Sequence, residues 1–466
     1  MSTEDVAPRR SWLGPLWAGA RAAALNTPPE RDRVVDVLRS FSLMVVVFGH
    51  LLMAMVVWKS DVPHLDNLLA HVHVLQLATW ILQIMPIFFF AGAIANQISW
   101  SRASAKGVTW RTWTNDRLTR LIRPVVVYLA FWVPFVLASE AILGYRVAAP
   151  LATLSTQLLW FLGVYLPVTA MTPWLDAWTT RHPWRTPLVM LATAGACDWL
   201  RLGLGISLAG LVNFVVVWAM AGTLGLTVSK TSQSPRFYVA VALGAVAVNI
   251  GLIHFGPWPT SMVGMPGDEI SNMAPPSLVL GVHVWVMVSL IVLLRPLIER
   301  AAHRLRIWTL ACAIGGASMT MYLWHLTGLI GLVLVEHRLG FDRGSDVGTA
   351  RFWLLTALHL VVAVVIIWTL ITVFAPFEMR PLPWLDSAPR FGGRGSNVGT
   401  GIGVFFCSTA FLVLSATGMA YFPFGKVTHY AGLSLTPGLG FILMALGVAI
   451  TRYSSRTVSP NNAVTA

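Results

Sequence analysis

"DVLRSFSLMVVVFGHLLMAMVVW" (Asp36–Trp58) decides the class of this protein. The stretch is long and apolar enough to cross a hydrocarbon core of about 30 Å as one helix. It also carries an arginine near its start, Arg39, and a histidine further in, His50. An α-helix turns about 100° and rises about 1.5 Å per residue. Eleven steps make about three turns plus 20°, so Arg39 and His50 share a face, roughly 16 Å apart along the axis. Asp36 lies about 40° off that line, placed to support Arg39. On this reading His50 sits about halfway across the bilayer, where a charge costs about 2.5–3.5 kcal/mol or more. Ionisable residues at such depth line cavities and mark function. A neutral imidazole there keeps one ring nitrogen for a proton and is a usable general base. The plainer alternative is a histidine that only hydrogen-bonds a neighbouring helix.

The rest of the chain agrees with the membrane reading. Of 466 residues, 56% are hydrophobic and only 11% charged, with mean hydropathy +0.70. A soluble domain carries about 25% charged residues. Apolar runs predict spans near 38–58, 75–98, 123–143, 154–172, 187–204, 208–228, 237–255, 277–298, 309–335, 352–374, 399–421 and 431–451. The expected fold class is all-α, a polytopic helix bundle of about twelve spans. It divides into a loose basic tail (1–30), a ten-span core (31–374), a linker (375–398), a C-terminal hairpin of spans (399–455) and a loose tail (456–466). Pro15 argues against a continuous helix early in the tail. "AIGGASMT" predicts a break, with a new helix near Ser318.

The formal charge of +13 is explained by its location. Basic clusters fall in the N-terminal tail, at Arg102–Arg123 and at Arg295–Arg306. The positive-inside rule makes that side cytoplasmic, with both termini inside and the chain in the inner (plasma) membrane. A nucleic-acid partner is not expected. Cys197, Cys312 and Cys407 are too scattered for a metal site, and no metal is expected. The 256–276 loop carries Asp268 and Glu269 without Lys or Arg, which places it outside.

Further polar residues sit within the spans. Arg117, Arg120 and Arg123 recur every third residue in "NDRLTRLIRPVV". They form one stripe, and guanidinium forks suit the phosphates of a cofactor arriving from the cytoplasm. Lipid anchoring is the plainer reading of the same stripe. Trp160 in "WFLGVYL", Asp198 and Arg201 in "CDWLRLG", Asn213, and Tyr322 with His325 in "MYLWHL" are candidates for substrate contact or for packing. His283 and His359 lack companions and read as structural. An exporter of a sugar or metabolite would also use intramembrane His, Asp and Arg.

Five stretches together resemble the integral-membrane acyltransferase type 3 family: "RDRVVDVLRSFSLMVVVFGH", "MPIFFFAGAI", "RLTRLIRP", "WFLGVYL" and "MYLWHL". The resemblance covers residues 31–374. It implies an acyltransferase that uses cytoplasmic acyl-coenzyme A, usually acetyl-CoA, as co-substrate. It implies an acceptor hydroxyl on a carbohydrate or a glycosylated small molecule. His50 matches the family's essential histidine, Arg39 its arginine, and Arg117 and Arg120 its arginine pair. Ala91 departs from the serine that many members carry before the glycine at Gly92.

Overall fold

Helix α1 (Gly14–Leu25) contains Pro15 in its first turn. The missing N–H has no intrahelical partner there, so proline is tolerated in the first turn, and the stretch before Gly14 lies outside the described residues. The structure, a computed structural model, describes residues 14–265, 268–341, 343–345, 347–386, 395–425, 427–430 and 433–455. Parts of the expected tails (1–13 and 456–466) and of the linker (387–394) lie outside the described residues.

Asp32 caps α2 (Arg33–Met53), its Oδ1 accepting from the N–H groups of Val34 at 3.0 Å and Val35 at 3.4 Å. The helix stops at Met53 rather than running to Trp58. The β-branched run that follows forms β1 (Ala54–Lys59), which pairs antiparallel with β2 (Val62–Asn67). Ser60 and Asp61 both adopt positive φ, the two-residue turn that matches strand twist. His50 therefore sits in the last turn of its helix, not at the middle of a span.

The helices continue with α3 (Leu68–His71), α4 (Val74–Leu82) and α5 (Met85–Ala105), α4 and α5 separated by a break at Gln83 and Ile84 just before Pro86. Helix α6 (Trp110–Leu143) begins well before residue 123, so its three arginines lie inside the helix. Next come α7 (Tyr145–Thr156), α8 (Leu159–Ala170), α9 (Thr172–Arg181) and α10 (Arg185–Asp198), which runs on into a π-helical turn, Trp199–Gly203. Then follow α11 (Ala209–Lys230), α12 (Pro235–Phe255), α13 (Leu278–Ala302), α14 (Leu305–Gly316) and α15 (Ser318–Arg338). The expected break before Ser318 is present. The chain ends with α16 (Ala350–Met379), α17 (Pro383–Asp386), α18 (Asn397–Thr417), a short hairpin of β3 (Thr428–Tyr430) and β4 (Leu433–Leu435), and α19 (Pro437–Ser454).

Among the described residues, eleven helical stretches are long and apolar enough to cross a membrane, one fewer than expected. The stretch near 187–204 is not among them, because α10 is short and ends on Asp198 and its π-helical continuation carries Arg201. This is an all-α, multi-pass membrane bundle. Its helices approach closely through small residues, as lipid-embedded interfaces do. A Cβ on Gly225 of α11 would lie 2.6 Å from the Phe90 carbonyl oxygen of α5. A Cβ on Gly447 of α19 would lie 2.5 Å from Cys407 Sγ of α18. The C-terminal pair is part of the bundle: the Ser408 hydroxyl donates to the Gly163 carbonyl of α8.

Candidate active site

The packing of α2 against α15 brings His50 to His325, 275 positions later in the chain. His50 Nδ1 lies 3.0 Å from His325 Nε2, and the rings stack at 5.2 Å and 13°. The other nitrogen of His325, Nδ1, lies 2.8 Å from the Tyr322 carbonyl and 3.1 Å from that of Met321. Carbonyls only accept, so His325 Nδ1 carries a hydrogen. In a neutral ring its Nε2 is then an acceptor, and His50 Nδ1 must be the donor. The lone pair of His50 is thereby left on Nε2. His325 is fully buried, whereas His50 remains partly exposed. A ring whose far nitrogen is tied and whose near nitrogen carries a lone pair is equipped to accept a proton or to attack a carbonyl.

Aromatic side chains wall this pair. Tyr322 sits 6.4 Å from the His325 ring and 5.3 Å from Phe161. Its hydroxyl donates to the Leu158 carbonyl, so it also pins α15 to the α7–α8 junction. Trp160, partly exposed, lies 6.3 Å from each of Phe161, Phe214 and Trp218. Phe88, Phe89 and Tyr165 complete the cluster, supplied by "MPIFFFAGAI" and "WFLGVYL".

Towards the start of α2 the site becomes basic. The Arg39 guanidinium lies 6.0 Å over the Phe88 ring, and its Nε is buried without a partner among the described residues. Arg117 bonds the Ser99 hydroxyl and lies 5.3 Å over Trp113. Its charge interacts with those of Arg39, Arg120 and Asp116, and with Tyr165. Arg39 of α2 and Arg117 and Arg120 of α6 are thus near enough to feel one another's charge, and they form a candidate anion cradle. Arg120 is exposed and lines a cavity of about 160 Å³ with Arg123, Ser318, Thr320 and Glu378. Arg123 is already paired with Asp386 of α17. Asp36 does not engage Arg39: its carboxylate accepts from Arg31 Nε at 2.7 Å and holds that guanidinium above its ordinary pKa.

The Asp198 group is joined by hydrogen bonds of its own. Asp198 Oδ1 accepts from Arg201 at 3.1 Å and from Asn213 at 3.4 Å, and Oδ2 accepts from the Leu278 N–H at 2.6 Å. The carboxylate therefore caps α13, and among the described residues no contact joins the three to the histidine pair. His283 is buried edge-on to Trp80 at 5.8 Å. Two contributors escaped the sequence. Glu378 is buried, accepting from Thr320 and Trp324 at 2.5 and 2.8 Å. Ser99 had no signal beyond its place one turn from Arg102. The run "MYLWHL" did flag His325, but nothing in it shows the pairing with His50.

The family model described as an acyltransferase domain matches residues 32–374, most of the chain. The chain belongs to the acyltransferase type 3 family. No curated protein and no solved structure matches it. As a membrane acyltransferase it must bring an acyl donor and an acceptor to one centre, and the histidine pair beside the arginine cradle is the candidate for it.

Proposed function

We propose that this acyltransferase moves an acyl group, acetyl first among candidates, from acyl-coenzyme A to a hydroxyl of a carbohydrate or glycosylated small molecule. The observation that carries the reading is the open Nε2 of His50, fixed by the tie of its Nδ1 to His325. Arg39, Arg117 and Arg120 meet the phosphates of the donor, and Arg123, held by Asp386, borders the cavity that Arg120 lines. The positive-inside rule puts this basic end at the cytoplasm, with both termini on that side. The thioester arm then runs along the α2 face from Arg39 to His50, roughly 16 Å.

The step balances without a further reactant. His50 Nε2 takes the proton of the acceptor hydroxyl as its oxygen attacks the thioester carbonyl. The tetrahedral intermediate expels the coenzyme A thiolate, which recovers the proton from His50. General-base help of this kind contributes about 10²–10⁴-fold. A covalent route, in which Nε2 itself carries the acyl group, uses the same atom. The test supplies membranes with radiolabelled acetyl-CoA and follows coenzyme A release and label on acceptor. His50→Ala should abolish both while the protein remains inserted. Transfer retained in that variant, or solute movement with the thioester intact, overturns the reading.

A further inference from the structure

A second polar group lies beyond His50, away from the arginine cradle. Glu336 follows His325 on α15 by eleven residues, the same interval that separates Arg39 from His50 on α2. It therefore shares the His325 face, roughly 16 Å further along. Its Oε1 is 2.7 Å from His359 Nδ1 of α16. A carboxylate accepts, so Nδ1 carries the hydrogen and Nε2 is the open position of that ring. Arg343, in the turn between the two helices, interacts with both groups and donates Nη2 to the Ala54 carbonyl at 3.0 Å. Ala54 caps α2, and its N–H bonds the His50 carbonyl. It stands about 6 Å beyond His50 along the helix axis.

Arg343 is 6% exposed, His359 1% and Thr356 2%. Even so, Arg343 Nη1, His359 Nε2 and Thr356 Oγ1 have no hydrogen-bond partner among the described residues. Thr356 precedes His359 by three residues and so shares its face of α16. Each unmet buried group costs stability, and native interiors seldom leave several such groups in one place. What they offer is a donor, a ring nitrogen and a hydroxyl, which is the complement of a run of hydroxyl groups. The charges of Glu336 and Arg343 cancel, so the group favours a neutral partner over an anion.

The geometry points to Glu336, His359, Arg343 and Thr356 as a binding site for a neutral polyhydroxylated acceptor, on the far side of His50 from the arginine cradle. As an acceptor site this rests on the acyl-transfer reading; as a polyol site it does not, and the two are tested separately.

The purified full-length chain is treated with diethyl pyrocarbonate, and modification of His359 is followed by peptide mass spectrometry. Methyl α-D-glucopyranoside is the neutral probe and glucuronate the anionic one. Modification of His359 should slow by the factor 1 + [L]/Kd, about tenfold when the glucoside stands near ten times its dissociation constant. Arg343→Met and Glu336→Gln should each lose the protection, and both variants are checked for wild-type elution and melting. An unprotected His359 overturns the proposal and leaves a water-filled polar group. A His359 that the reagent never reaches overturns it too, as a sealed structural cluster. Protection by glucuronate alone overturns the neutral-polyol assignment. Loss of label transfer from acetyl-CoA in the wild-type chain, with glucoside protection intact, sinks the acyl-transfer reading and spares the site.

Discussion

Replacing His325 by alanine removes the acceptor that receives His50 Nδ1–H at 3.0 Å. The donor is left inside the bundle with no partner, a loss of about 1–3 kcal/mol. At 1.4 kcal/mol per factor of ten, that is roughly 5- to 150-fold if it is expressed in the transition state. It should be expressed there, because His50 gains positive charge as it takes the hydroxyl proton, and a charged donor bonds more strongly than a neutral one. Among the described residues His325 contacts none of Arg39, Arg117 and Arg120, so the donor KM should hold while kcat falls. His325→Gln is the informative companion. Its side-chain carbonyl can accept from His50 Nδ1, so it should recover much of the lost kcat, whereas His325→Leu should not. The assay is steady-state transfer from radiolabelled acetyl-CoA at saturating acceptor, with elution and melting controls on each variant. A kcat within twofold of wild type for His325→Ala would refute the reasoning, as would glutamine behaving no better than leucine.

The arginines should separate by partner. Arg117→Met removes a charge-assisted contact worth about 1.5–3 kcal/mol and should raise the acyl-CoA KM about 10- to 100-fold. Arg123→Met, losing a guanidinium already held by Asp386, should raise it far less; equal effects in donor titrations would dissolve the distinction. Gly447→Val places a side chain where Cβ already meets Cys407 Sγ at 2.5 Å and the Cys407 nitrogen at 2.7 Å. Overpacking of this kind destabilises by about 1–3 kcal/mol, so detergent melting should drop, and an unchanged melt would show that α18 and α19 do not pack this tightly.

The sequence carried the class of the fold and one line of the site, and the reasons are physical. Lipid demands long apolar helices, so spans are visible as runs, and an ionisable residue inside a run stands out against its surroundings. The Arg39–His50 alignment follows from helix geometry within a single element. What escaped depended on contacts between elements. His325 was visible as polar, yet nothing local shows that it receives Nδ1–H from a ring 275 positions away. Asp36 is adjacent to Arg39 on its helix but bonds Arg31 before the helix begins. Arg123 belongs to the arginine stripe by periodicity, and Asp386, in a segment that reads as linker, draws it aside. Nothing local around Asp198 shows that its carboxylate caps α13, a contact made with a residue 80 positions later.

The end of α2 bears on how the acceptor reaches His50. Hydropathy continues unbroken past Met53, but the backbone changes from helix to strand at Ala54. Six residues of strand advance about 20 Å, against about 9 Å as helix, so the chain leaves the depth of His50 quickly. Strand backbone also leaves edge carbonyls unpaired, and such groups are tolerated at membrane depth only inside protein or beside a watery cavity. Here the Ala54 carbonyl is met by a buried arginine, and Trp58 stacks on His337 at 3.7 Å. The β1–β2 hairpin is therefore walled by protein rather than lipid on the side that faces α15. On the orientation proposed above, His50 stands where the apolar helix gives way to a hairpin backed by polar protein groups. A thioester approaching along the helix and a hydroxyl approaching along the hairpin would meet at its ring.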